Sequence, residues 1–297
     1  MKVPHHFGLY GTALLLTACG AGPGETGPSV VNPISGPLTG ISGPVTFSTQ
    51  NAKLRYDCAT CSVNSWQFGL SNDHQIEIDP TTGTVTIIDY GSEDDSFLLD
   101  FLGDSASFAS ATNYESIYSQ QTLKMLLPGV NSGYEWSSYG VFASTFYGCL
   151  FSCASTFQGE VFSFGVITDN NDMPTGGTAS YTGVMDGFYS HYTQQAVRIH
   201  GAVSMSVNFS DKRLTGQISN ITSSVIFGSS RSFGDMAFNA SIAGNIFDGT
   251  ATGSADGYGL TGTVSGSFYG PQAMEAGGVL HMTGTLGTAV AAFATKQ

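Results

Sequence analysis

At 297 residues the chain is long enough for two domains, and 41% hydrophobic with 12% aromatic content excludes a disordered polymer. Twenty-two acidic against nine basic residues give a net charge of −13, which argues against a nucleic-acid binder, since that affinity needs Lys and Arg to release counterions, and against docking on anionic lipid. Only 10% of residues are charged while glycines number 39, a composition suited to a strand-rich, turn-rich extracellular protein.

Residues 1–19 carry Lys2 and an apolar centre, Ala13 to Leu16, too short to span a bilayer permanently, so they read as a secretory signal. The run ends in Leu16-Thr17-Ala18-Cys19-Gly20, which resembles the bacterial lipobox. That resemblance implies that the Cys19 sulfur is acylated and becomes the mature N-terminus, a stable anchor once more than one chain is attached. Gly20 after the cysteine is compatible with the outer membrane of a Gram-negative cell, and display at the cell surface is expected. Residues 20–44, rich in Gly, Pro and Ser, are expected to form a flexible tether.

From Val45 the pattern turns to short strands, with Asp79-Pro80-Thr81-Thr82-Gly83 as a turn signal between two of them. Residues 45–130 are expected to form a small antiparallel sheet domain. Nine acidic residues between Asp73 and Asp104, with no Lys or Arg among them, make either a solvated face or a surface that steers a basic partner. Four cysteines remain, Cys58, Cys61, Cys149 and Cys153. In an exported chain an even number points to two disulfides, with all three pairings open, ahead of a four-thiolate zinc site.

From Tyr134 the strands lengthen, and ten candidates run from Ser138 to Thr295 with turn signals between most of them. Thr178, Ser180 and Thr182 alternate with Ala179, Tyr181 and Gly183, as in a small barrel whose interior is filled by side chains. At the far end a strand through Phe268 and Tyr269 stops at Gly270-Pro271, followed by a short helical turn, with Gly277-Gly278 expected to reverse the chain before Val279.

Two blocks of this region carry a family resemblance: Met173-Pro174-x-x-Gly177-x-x-x-Tyr181-x-Gly183, and Phe268-Tyr269-Gly270-Pro271-x-x-x-Glu275-x-x-Gly278. Together they resemble the β-barrel domain of the transferrin-binding protein B-like surface lipoproteins. The resemblance implies an all-β chain, with a small N-terminal antiparallel, handle-like sheet over 45–130 followed by an eight-stranded antiparallel β-barrel over 134–297. It also implies non-catalytic binding of an extracellular protein, with an iron carrier as the candidate, at the cell surface, and an outer-membrane receptor as a further candidate partner. The block residues are then structural, and the loops Gly187–Gln194, Gly228–Gly234 and Phe146–Phe157 are the expected contacts.

No nucleophile elbow, zinc-protease helix or phosphate loop is present in the sequence, so no enzyme is expected. A rival reading is direct capture of haem or a metal–ligand complex, with His191 flanked by Tyr189 and Tyr192 as axial-ligand and ring-stacking candidates. Another is a surface-shielding, immune-evasion lipoprotein. A single barrel where the largest relatives have two lobes leaves transferrin itself open as the ligand.

Overall fold

The computed structural model describes residues 34–57, 62–89, 95–99, 101–102, 107–116, 119–129, 131–148, 154–192, 194–225 and 230–297. Cys19 and the four other cysteines lie outside them, as do the signal and the first part of the tether. The first sheet contains β1 (Val45–Asp57), β2 (Ser62–Asp79), β3 (Thr84–Asp89), β4 (Asp95–Leu98), β5 (Phe108–Ser116), β6 (Ser119–Leu126), β7 (Ser137–Gly148) and β8 (Ala154–Gly165), in the order β4-β3-β2-β1-β8-β7-β6-β5. It curls until its two edges face each other. Asn113 Nδ2 on β5 donates to the Ser96 carbonyl of β4 at 2.7 Å, and Gln121 Nε2 donates to Asp95 Oδ1 at 2.6 Å, so side chains cover the edges that a flat sheet would leave unpaired.

The second body is a closed antiparallel barrel of β9 (Thr178–His191), β10 (Gln194–Asn208), β11 (Arg213–Val225), β12 (Met236–Ala243), β13 (Ile246–Ala255), β14 (Tyr258–Tyr269), β15 (Glu275–Gly284) and β16 (Gly287–Lys296). Closure is made by β16 against β9, from Gly287↔His191 to Lys296↔Thr182. Strand β12 alternates buried and exposed at every residue, the two-residue period of a wall with one dry face. The interior is packed. Phe247 stands 5.5 Å from Phe268 and Phe238 stands 5.5 Å from Phe293, ring centre to ring centre. Two glycines make room for these rings: a Cβ at Gly216 would lie 2.0 Å from the ring of its cross-strand partner Phe238, and one at Gly266 would lie 1.9 Å from that of Phe247. The outer face carries exposed Ser204, Ser206, Thr215, Gln217, Asn239 and Ser241, a water-facing surface and not a lipid-facing one.

Four expectations are corrected here. The first sheet is not confined to 45–130: β7 and β8 pair within it, because β8 is the neighbour of β1 from Gln50↔Ser163 to Asp57↔Thr156. Two of the ten strands assigned to the barrel therefore belong to the first sheet, and the remaining eight close the barrel from Thr178 instead of Tyr134. The tether is shorter than 20–44, since Leu38 and Ile41 bury themselves in the first sheet's core from a 3-10 turn, with Leu38 N–H on the Glu135 carbonyl at 2.7 Å. Gly277 and Gly278 lie within β15, paired with Ser267 and Gly266, and the reversal is made earlier, by Gly270 to Met274. What Gly278 supplies is close approach, as a Cβ there would lie 2.3 Å from the Ser265 carbonyl oxygen.

Candidate functional site

Three places on the barrel carry polar chemistry: its two ends and the flank packed on the first sheet. At one end the two sequence blocks meet. The Tyr181 hydroxyl donates to the Ala273 carbonyl at 2.5 Å, and its ring lies 6.2 Å from that of Phe268. Burial pushes the Tyr181 hydroxyl up to about 12, so it stays a donor. Gly177 takes φ 85° where its carbonyl accepts the Phe209 N–H, and partly buried Met173 packs against the barrel core just before Pro174. Gly270 takes φ 72° beneath the Trp136 ring, where a Cβ would come within 2.5 Å, and Pro271 opens the 3-10 turn that follows. Gly183 faces backbone so closely that a Cβ would lie 2.0 Å from the Ala294 carbonyl oxygen.

The opposite end gathers the β9–β10, β11–β12, β13–β14 and β15–β16 connections. The expected loop from Gly187 is strand as far as His191, and only the tip beyond it turns. Tyr189 is buried inside the barrel, its ring edge-on to Phe233 at 5.4 Å. Burial, with Asp256 nearby, pushes its hydroxyl up to about 12. His191 is also buried, and that burial, with the charge of Arg231, holds its imidazole below the usual value against the opposing pull of Asp256. Tyr192 is half-buried, its N–H on the Leu286 carbonyl at 2.9 Å. The three candidate ligands thus do not share one open face: Tyr189 belongs to the packed interior. Among the described residues no group of three or more His, Cys, Asp or Glu is arranged to hold a metal ion.

What organises this end was not evident from spacing. Arg231 Nη1 meets Asp256 Oδ2 at 3.0 Å, the Arg231 N–H donates to Ser223 Oγ at 2.8 Å, and the Asp256 N–H donates to the Ser232 carbonyl at 2.8 Å. This ties the β11–β12 loop onto the β13–β14 turn. Asp256→Ala is expected to cost about 1.5–3 kcal/mol, the range for hydrogen bonds to a charged group, measured by urea unfolding, with faster amide exchange at Arg231 and Ser232.

The flank holds the third group. Asp186 on β9 accepts Lys124 Nζ at 2.8 Å and Tyr139 OH at 2.6 Å, both from the first sheet, and pairs with His200 Nδ1 at 3.2 Å. Burial works against its charge, yet the hydrogen bonds from His200, Lys124 and Tyr139 outweigh it and hold the carboxyl below its usual value. Its contribution to stability is therefore complete above about pH 3.9, the unfolded value, and fades as pH falls through the lower folded one. Asp186→Asn is expected to cost roughly 2–4 kcal/mol at pH 7, because Lys124 and Tyr139 lose a buried charged partner. Thermal melts from pH 7 to pH 2 should show that penalty shrinking below about pH 4.

The acidic stretch of the first sheet is less free than its composition suggests. Asp79 caps its own turn, accepting the Thr81 N–H at 2.9 Å, and Asp95 accepts Gln121. Sequence reading placed Arg231 in an expected contact loop and Asp256 in a turn, but marked neither their pairing nor Lys124, Asp186 or Arg198. The one available signal was the scarcity of cations, nine in the chain.

Taken together, the chain is an all-β protein with a filled eight-stranded barrel docked on a nearly closed eight-stranded sheet. Residues 173–297 match the family model of the C-lobe and N-lobe β barrels of transferrin-binding protein B. The barrel is thus similar to the β barrels of transferrin-binding protein B. Transferrin-binding protein B of Haemophilus influenzae strain 86-028NP is 30% identical over 145 residues, 45% of this chain and 23% of that protein. An uncharacterized protein of H. influenzae strain Rd is 34% identical over 116 residues, 37% of this chain and 34% of its own. The chain thus spans between about a quarter and a third of the curated relatives it matches. Among solved structures, a transferrin-binding protein B variant from Haemophilus parasuis Hp5 is similar at a TM-score of 0.48, with 17% identity over 84% of this chain and 45% of that one. The isotype 1 transferrin-binding protein B of serogroup B Neisseria meningitidis has a TM-score of 0.47, with 19% identity over 83% and 43%.

Proposed function

We propose that this protein is a lipid-anchored bacterial surface protein that binds an extracellular protein partner without catalysis, the partner being an iron carrier. The observation that carries the reading is the match of residues 173–297 to the barrels of transferrin-binding protein B, a family domain named for a protein it binds. The packing adds a physical constraint. With Tyr189, Phe238, Phe247, Phe268 and Phe293 filling the interior, contacts fall to the outer surface and the connections between strands, the usual place for binding residues on a rigid scaffold. The end tied by Arg231 and Asp256 is the contact region: His191–Tyr192, Arg231–Asp235, Asp256–Tyr258 and Gly284–Gly287. The opposite end is occupied by the family blocks and by the link to the first sheet.

Acylation of Cys19 would place this surface outside the cell at the end of a short Gly/Pro-rich leash. Labelled palmitate should enter the protein in cells and be lost in Cys19→Ala. The binding role is tested by flowing iron-loaded and iron-free transferrin over the immobilised protein. Saturable retention that weakens in Asp256→Ala supports the reading, and absence of retention of any iron carrier tried argues for the shielding alternative. Haem capture predicts instead a Soret band that vanishes in His191→Ala.

A further inference from the structure

The flank beside Asp186 holds a feature that partner capture at the barrel end does not use. On the outer face of the barrel, Arg198 of β10 faces Phe188 of β9 on one side and Ser224 of β11 on the other, and His200 faces Asp186 and Thr222 in the next rank. Strand β6 of the first sheet rises over this surface and brings Thr122 and Lys124 against it. The result is a crevice of about 290 Å3 between the two bodies, whose lining includes Lys124, Asp186, Arg198, His200, Thr222 and Ser224.

Arg198 is the unusual member. Its Nη2 donates to Thr122 Oγ1 at 2.6 Å, and its guanidinium carbon lies 6.0 Å from the centre of the Phe188 ring. Among the described residues no carboxylate lies within 4.0 Å of it, although burial weighs against its charge. Asp186 favours the charge from a distance but accepts no hydrogen bond from it, since Oδ1 is taken by Lys124 and His200 and Oδ2 by Tyr139. A planar guanidinium fixed at one nitrogen, half out of water, with donors to spare, is matched by a carboxylate, which accepts two parallel N–H groups. Charge selects among anions. With His200 neutral, Lys124 and Arg198 against Asp186 leave the crevice one positive charge, which a monocarboxylate neutralises and a phosphate dianion exceeds. The exposed hydroxyl-bearing wall of Thr222 and Ser224 suits a body carrying hydroxyl groups more than an apolar one.

We propose that this crevice binds the carboxylate of a small hydroxylated acid, a sugar acid, on Arg198, with the sugar hydroxyls against Thr222 and Ser224. The site is independent of whether the barrel end captures a protein. It is tested by calorimetric titration of the purified full chain with glucuronate in a low-salt buffer free of other oxyanions. Saturable binding is expected, at least tenfold weaker for acetate and undetectable for glucose. Arg198→Gln should lose at least tenfold in affinity and Arg198→Lys should recover part of it. Should Arg198→Gln fail to fold, Ser224→Trp fills the mouth from an exposed strand position and is expected to abolish binding with the melting temperature unchanged. No saturable glucuronate binding, binding that survives Ser224→Trp, or inorganic phosphate bound more tightly than glucuronate would each overturn the assignment.

Discussion

Replacing Glu275 by alanine is expected to cost about 3–5 kcal/mol and to unfasten the barrel from the first sheet, since it strands several buried donors at once. Glu275 opens β15 and is itself buried, but its carboxylate works on the neighbouring body. Oε1 accepts the Glu135 N–H at 2.7 Å, while Oε2 accepts the Trp136 N–H at 3.2 Å, the Ser137 N–H at 2.8 Å and the Ser137 hydroxyl at 2.7 Å. The start of β7 is thus held like a strand cap by a side chain 138 residues away. Burial pushes the Glu275 carboxyl up, and the hydrogen bonds from Glu135, Ser137 and Trp136 pull it only part of the way back. The folded protein therefore takes up this proton at a higher pH than the unfolded chain, and acidification through that range favours folding at this group, opposite in sign to Asp186. Urea unfolding followed by Trp136 fluorescence should separate in Glu275→Ala from the barrel's own transition. A single coincident transition with a wild-type midpoint would show that the clamp contributes little. Glu275→Gln, which keeps one acceptor oxygen, should fall between the two.

Phe268→Ala is expected to destabilise the barrel by about 3–5 kcal/mol, the range for removing a fully buried aromatic ring. Phe268 is fully buried, and its ring lies 5.5 Å from Phe247, 5.7 Å from Phe209 and 6.2 Å from Tyr181. It therefore joins β14 to β13, to the β10–β11 turn and to β9 across the interior. Emptying that position removes one set of the ring contacts that cross the interior, leaving those of Phe293 with Phe238 and Phe247, and close packing leaves little room for the neighbouring rings to fill the gap. Tyr258→Ala serves as the control, since Tyr258 lies at 51% exposure at the rim end of the same strand and should change stability by no more than about 0.5 kcal/mol. Equal midpoints for the two variants in denaturant would contradict the packing described.

The all-β class and the barrel were legible because the wall alternates at every second residue and its turns are spelled out, whereas the pattern alone gave ten strands and the number eight came from the family resemblance. Asp79 to Gly83 is one such turn, and Ala255-Asp256-Gly257, with both Asp256 and Gly257 at positive φ, is another. The partition of the chain was not legible. Tyr139, Val141 and Ala143 read like any barrel strand, and only pairing partners distant in sequence place β7 and β8 beside β1. The same holds for β5 and β6, whose polar Ser119-Gln120-Gln121-Thr122 start hides a strand that buries Leu123 and Met125. Gly277-Gly278 misled because a glycine pair signals a turn in sequence, whereas here both serve close strand approach. The polar groups were hidden for a related reason. Arg198 and Lys124, or Arg231 and Asp256, are brought together by register and by docking of the two bodies, and neither leaves a spacing in the chain.

The central claim, that a filled barrel binds a protein through the end tied by Arg231 and Asp256, is tested most directly by hydrogen–deuterium exchange with and without saturating iron-loaded transferrin. Slowed exchange at His191–Tyr192, Arg231–Asp235 and Asp256–Tyr258, with Gly270–Glu275 unchanged, is the predicted footprint. Protection at Gly270–Glu275 instead, or no protection anywhere on the barrel, would contradict it.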